Sequence, residues 1–593
     1  MSEIETFHKT PHACAWADRH SFLAILISAL VLIPRAIFIA NAHSESFDAP
    51  YHLRHGLAFA TGNPGHVVMN SNDAPLGQML ISLPMIVTGC LPGEPIHLQN
   101  WPNGVRVPGE TMEGEPPLAP ERARYERLVR MDVLYGNRLS PEAILLLIAV
   151  WKSILFIPAA GVLFHWCRSL YGLGAAWLSL SLLLIDPNFA AHVPVLALDS
   201  LGAEGVLIAC YLMWRYFRSP STRWLIALTI AVAVAMLMKH TAVILPLIFI
   251  IMSIFHRRSV SRRDIAIIVL TWFLTVWTLL LFNYSRPIDQ LAHLAQNLPF
   301  RGTRLGDFIF NVLSQRWPAG AYVGCFVSGF ITNQLGQSSM IFGKIQSNGF
   351  WYYFPALLTY KMPIGTFIAL GIALASFARK KIFRDEAAFV IPLLTFVVFL
   401  MFARMNYGIR HFLPAYLFLI MLAGRGVWAG SRWMIATAWT GTTLAAIHSI
   451  AFLPDYISYI NFPRRRIDLE ITDSNLDWNQ ALRQIRRWLR EHNTERLPVY
   501  VLPRLGRGGT NGAYWVGEAV TFLHRGKPLP QRGLLIISPV WTSSVYDSGD
   551  NAYEILHHVH PIGWVGHAMP VFDLQQVTKA RQNEQSIGES AAR

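Results

Sequence analysis

Eleven apolar runs, each close to the length of a bilayer crossing, leave this chain few folds to choose from. They fall at residues 22–41, 143–164, 173–190, 198–217, 222–239, 240–256, 264–283, 352–378, 387–404, 411–428 and 433–453. At about 1.5 Å of rise per residue, roughly 20 apolar residues cross the hydrocarbon core as a helix. Of the 593 residues 53% are hydrophobic and 15% charged, against about 25% charged in soluble domains. The chain therefore reads as an α-helical polytopic membrane protein. The first run is longer than the apolar core of a signal peptide, so it is expected to remain as an anchor.

The net charge of +14 does not mark a nucleic-acid binder, because the basic residues form short clusters between apolar runs rather than one patch. Arg168, Arg215/Arg218/Arg223, Arg257/Arg258/Arg262/Arg263, Arg379/Lys380/Lys381/Arg384 and Arg425/Arg432 occupy alternate connections. By the positive-inside rule those connections and the N-terminus are cytoplasmic. An odd number of spans then puts residues 454–593 outside. Residues 1–453 form the membrane module, with outer segments 42–142 and 284–350. The first contains a Pro/Gly-rich tract from Leu91 to Pro120 and a charged, helix-like stretch at Glu121–Leu134. In the second, Phe308–Trp317 reads as an amphipathic helix lying on the membrane. Residues 454–578 read as a small soluble α/β domain. Leu482, Ile485, Trp488 and Leu489 have helical spacing, and Val499–Leu502 and Leu534–Ser538 are strand-like. The polar tail 579–593 is expected to be disordered. Cys14, Cys90, Cys167, Cys210 and Cys325 show no metal-ligand spacing. Cys90 and Cys325 share a side and are the one candidate disulfide.

Chemistry gathers at the outer surface. Ser46-Phe47-Asp48-Ala49-Pro50-Tyr51-His52 follows the first run directly. If Tyr51–Phe59 is helical, Asp48 opens the helix and His52 and His55 share one face. Asp48 is then a proton acceptor or simply a helix cap. On the same side lie Asn72-Asp73, His192 and Asp199, Lys239-His240, Tyr353 and Lys361, and Arg410-His411. Carboxylates facing several cations suit a phosphate-bearing lipid: the cations hold the phosphate and a carboxylate acts on the acceptor. The alternative for each cation is snorkelling to the interface.

Six segments in order resemble a known family. Phe47-Asp48-Ala49-Pro50-Tyr51-His52-Leu53 resembles the first-loop "D-E-x-Y-H" signature of glycosyltransferase-C membrane enzymes, in the branch of protein O-mannosyltransferases and lipid A aminoarabinose transferases. Asp186-Pro187-Asn188 through His192 to Asp199 is similar to its "sPn…aH…tD" segment, and Met238-Lys239-His240-Thr241 to its "K-x-T/S" position. Trp351–Phe354 with Lys361-Met362-Pro363 resembles "wyYf…K-t-P", and Tyr407–Pro414 resembles "yGxRyxLP". Asp473-Ser474-Asn475-Leu476-Asp477-Trp478-Asn479-Gln480 resembles a "DSNLDWGQ" box. Ala49 stands where the signature has Glu, so Glu45 or Asp199 would supply a second carboxylate. Asn479 stands where the box has Gly.

The resemblance implies a bacterial inner-membrane enzyme with a periplasmic active site. It would move a hexosyl or pentosyl group from a polyprenyl-phosphate donor to a protein or glycolipid acceptor, with inversion. Asp48 would be the catalytic base, and Lys239, Arg410, His411 and Lys361 would bind the donor phosphate. His52, Asp73, Asp199, His192 and Tyr353 would line the substrate site. No metal site is assigned, and a divalent metal is left open. Asp473 or Ser474 is expected to cap the first helix of the C-terminal domain. Two rivals are a lipid-linked sugar transporter or flippase, which usually shows internal repeats, and a non-catalytic assembly subunit that keeps the fold.

Overall fold

The computed structural model describes residues 18–592 apart from 62–72, 91–132, 136, 292–301, 381–383, 493–496, 505–509, 518–519, 524–525 and 547–552. Cys14, Asn72, the Leu91–Pro120 tract and most of Glu121–Leu134 lie outside the described residues. Helices form over every expected apolar run, but their lengths differ. Three are long and apolar enough to cross a membrane: Arg19–Ala42, Pro141–Tyr171 and the Ile409–Ala429 segment. A fourth is counted if Tyr353–Lys361 and Ile364–Ala378 form one span. That pair was expected as one run over 352–378, yet it bends by 119° at Met362-Pro363. Proline lacks the amide that would continue the ladder and pushes its predecessor out of the helical region.

Pro187 breaks another run in the same way, at the start of the Pro187–His192 helix, where Asp186 before it is extended. Ser140, Ser221, Ser261 and Ser431 cap the helices they precede, as short hydroxyl side chains do for orphan amides. One apolar core runs through the Pro141–Tyr171, Leu173–Ile185, Asp199–Arg218, Thr222–Met238 and Leu413–Ala429 helices. Arg35, a charge inside the first apolar run, donates from Nη1 to the Leu184 carbonyl and faces the Tyr456 ring at 6.0 Å.

Two elements frame the Asp48 region. The helix at Ala49–Ala60 covers the expected one, and a second, Pro75–Val87, packs beside it. The second was missed because its 13 residues fall short of a span. The amphipathic helix in 284–350 is Arg304–Ser314, three residues shorter at its end than expected, since Trp317 and Pro318 pair with Tyr284 and Ser285.

The C-terminal unit carries the helix Leu482–His492 and a five-stranded mixed sheet. Val499–Leu502 pairs in parallel with Thr521–Phe522 and with Leu534–Ile537, and Leu534–Ile537 pairs antiparallel with Met569–Asp573. Gly563–Val565 closes the far edge. The tail departs from expectation: Leu574–Ala592 is a helix. Leu574 and Val577 sit in the domain's core and Thr578 bonds back to the Leu574 carbonyl, so the buried first turn nucleates a helix that Ala, Arg, Gln and Glu then extend. Cys90 and Cys325 are both free thiols, and the candidate disulfide is not formed.

Candidate active site

Asp48 holds the N-cap position of the Ala49–Ala60 helix, but its side chain makes no capping bond. The carboxylate turns outward instead, and its Oδ2 lies 3.4 Å from Nη1 of Arg410. That Nη1 also lies 3.7 Å from Oδ2 of Asp199, whose other oxygen pairs with the Lys239 ammonium. Asp199 therefore sits between the two cations and is buried, while the Asp48 side chain keeps 29% of its exposure. Breaking a buried pair of this kind by removing one partner costs about 3–5 kcal/mol.

The sequence explains the placement. Asp199 starts the Asp199–Arg218 helix and Lys239 ends Thr222–Met238, so an acid at one helix start meets a base at a neighbouring helix end. Gly202 allows the approach: a Cβ there would lie 2.7 Å from Lys239 Cβ. Arg410 lies in a tight turn after Gly408, whose φ of 110° favours glycine. The guanidinium lies over Trp478 at 4.2 Å and Tyr407 at 5.7 Å from the ring centroids.

His52 lies 3.9 Å from Asp73 through Nδ1 and Oδ2, and 3.5 Å from the Gln78 amide nitrogen. Burial raises the Asp73 carboxyl above the ordinary range; Asp48 and Asp199 push the same way and His52 and Lys239 oppose them. His192 is buried with its ring 6.0 Å from that of Trp478. Burial drives its pKa down to about 3, with Asp199 opposing and Arg410 adding to the shift, so the imidazole is neutral. His411 lies beside Arg410 with its ring 5.9 Å from Tyr407.

Two expected site residues do other work. Lys361 Nζ donates to the carbonyls of Ile457 and Tyr459, each at 2.8 Å, and to that of Asn475. An ammonium has three donors, and in this structure all three are spent on backbone carbonyls. Tyr353 is buried and its hydroxyl accepts from the Asn475 amide at 3.0 Å; it supports the site from behind. Glu45, one candidate second carboxylate, accepts instead from the Tyr135 hydroxyl at 2.6 Å and from the Trp515 indole. Asp199 is the carboxylate that joins Asp48 around Arg410.

The box also differs from expectation. Asp473–Asn475 forms one short 3-10 turn, and the domain's helix begins only at Leu482, so neither Asp473 nor Ser474 caps it. Asp473 accepts from Arg504 Nη1 at 2.9 Å and from the Tyr546 hydroxyl. Burial would raise its carboxyl, yet Arg504 holds it below the ordinary value. Asn479 has φ 73°, a left-handed conformation that Gly adopts freely and Asn tolerates best among the rest. The replacement of Gly by Asn thus preserves the turn.

Sequence reading missed Lys152, Gln78 and Arg504. Lys152 is buried and its ammonium bonds to the carbonyls of His192, Val195 and Ala197, pinning the segment that leads into Asp199. A lysine within an apolar run is itself a signal. Gln78 and Arg504 lie in segments with no pattern to single them out. Among the described residues no group of three or more His, Cys, Asp or Glu is placed to hold a metal ion.

Residues 140–282 match the family described as dolichyl-phosphate-mannose-protein mannosyltransferase. Comparison with curated proteins gives no match. Among solved structures, ArnT from Cupriavidus metallidurans bound to undecaprenyl phosphate is similar at 11% identity and a TM-score of 0.32, over 93% of this chain and 97% of that one. The Archaeoglobus fulgidus oligosaccharyltransferase AglB, in complex with an inhibitory peptide and a dolichol-phosphate, is similar at 12% identity and a TM-score of 0.46, over 90% of this chain and 72% of that one.

Proposed function

We propose that the chain is a membrane enzyme of the glycosyltransferase-C type, in keeping with the family match over residues 140–282, and that it transfers a sugar from a polyprenyl-phosphate donor to a hydroxyl of a protein or glycolipid acceptor. The transfer takes place at the periplasmic face of a bacterial inner membrane. The observation that carries this reading is the Asp48 carboxylate, which leaves its helix amides uncapped and faces Arg410 instead.

In the reaction Asp48 takes the proton of the acceptor hydroxyl as that oxygen bonds to the anomeric carbon from the side opposite the phosphate. The bond from carbon to phosphate oxygen breaks, the configuration inverts, and polyprenyl phosphate leaves with the electron pair. Arg410 and Lys239 stabilise the negative charge that grows on the leaving oxygen. Asp199 keeps the two cations side by side.

Single-turnover transfer from a polyprenyl-phosphate sugar in nanodiscs tests the reading. Asp48→Asn keeps the size of the side chain and removes the proton acceptor. Turnover should fall by roughly 10²–10⁴-fold with donor binding intact. Normal transfer by this variant would sink Asp48 as the base, and lipid movement without transfer in the wild type would favour a transporter.

A further inference from the structure

The Asp473–Gln480 box is buried from end to end although six of its eight residues are polar or charged, all but Leu476 and Trp478. A buried polar segment is stable only if its groups are paired, and here the partners lie on the two halves of the site. On one side the Phe47 amide donates to the Trp478 carbonyl at 2.9 Å and the Ser44 amide to the Gln480 carbonyl at 3.0 Å. The Ser44 hydroxyl donates to the Asn479 carbonyl at 2.7 Å. These bonds hold the strand of chain that ends in Asp48. On the other side the Ile409 amide donates to Asn475 Oδ1 at 3.1 Å, and Ser474 Oγ donates to the Tyr407 carbonyl. These bonds hold the turn that carries Arg410. Trp478 belongs to both sides at once: its carbonyl holds Phe47, and its indole lies against the Arg410 guanidinium at 4.2 Å.

We propose that Trp478 is a positioning residue of the transfer site, setting Arg410 against Asp48 through one residue that grips both. The proposal rests on the reading of Asp48 and Arg410 given above. The indole face attracts the guanidinium in a water-poor setting, and a flat ring fixes the plane in which it presents its donors.

The test compares Trp478→Phe and Trp478→Leu, alone and combined with Arg410→Ala. It reads transfer rate, KM for each substrate and binding of a short-chain polyprenyl phosphate in nanodiscs. Trp478→Leu should weaken donor binding by about tenfold with the KM for acceptor unchanged. Trp478→Phe, which keeps an aromatic face, should recover most of the loss and serves also if Leu impairs folding. In the Arg410→Ala background the Trp478 substitutions should have little further effect, because the group they orient is gone. Equal losses in both backgrounds, or no loss in either single variant, would overturn the positioning role. Unchanged lipid binding by Arg410→Ala would instead refute the phosphate role of Arg410, and the coupling in transfer rate would still decide whether Trp478 acts through it.

Discussion

Three lysines near the site meet different partners, and the partner decides what each can do. Lys152 and Lys361 spend their donors on backbone carbonyls, so they fix chain segments. Lys239 meets the carboxylate of Asp199, which Arg410 also faces, so its charge belongs to the proposed reacting region. Histidines divide in the same way. His55 and His192 are buried, and burial drives the pKa of each down to about 3. Both therefore stay neutral in the folded protein and gain a proton on unfolding once the pH drops below about 6.5. The unfolded state binds more protons in that window, so stability is complete above pH 6.5 and falls as the pH is lowered toward 3, by about 1.4 kcal/mol per pH unit for each histidine. Thermal unfolding between pH 7 and pH 4 should show this slope, and His55→Gln with His192→Gln should flatten it. An unchanged slope would mean that other groups set the acid limit.

At the scale of elements, the junction of the Asp199–Arg218 and Thr222–Met238 helices is tight because Gly202 has no side chain. Gly202→Ala would place a Cβ 2.7 Å from Lys239 Cβ and 2.9 Å from its Cδ, too near the lysine's own backbone for a flexible tip to give way. Lys239 should swing off Asp199, and polyprenyl-phosphate affinity should drop about tenfold while the protein still folds, as the loss of one charge-assisted contact predicts. Equilibrium binding in nanodiscs checks this, and wild-type affinity would show that the Lys239–Asp199 pair is dispensable.

The same junction shows what was legible in the sequence. Asp48, Asp199, Lys239 and Arg410 could be gathered from their position at run ends and from motif order. Lys361 could not be separated from them, because the carbonyls that consume it come from residues 457, 459 and 475, and no periodicity reports such a contact. The Ala49–Ala60 helix was legible in its His spacing, whereas Pro75–Val87 is too short to stand out from loop. The mixed sheet was legible only as strands: alternation marks a strand but not its neighbours.

For the whole molecule, the alternating basic clusters predict that residues 454–593 lie on the outer side, and the proposed site requires it, since Trp478 and Asn475 touch the turn of Arg410. A reporter active only outside the cytoplasm, fused after Ser586, should give signal. A cytoplasmic readout would mean a miscounted span and would contradict the proposed periplasmic site. Removal of residues 454–593 would strip Lys361 of its three carbonyl acceptors and the Phe47 amide of its own.

The bond from Ser44 to Asn479 joins residues 435 apart in sequence. When the ribosome has made the first anchor and the Asp48 loop, the chain segment that will hold that loop is still hundreds of residues from being synthesised. The reacting groups therefore come together only near the end of translation, and a nascent chain, however well its early helices have inserted, has no means of performing the reaction. Polypeptides stalled before the box is made should therefore lack the proposed activity.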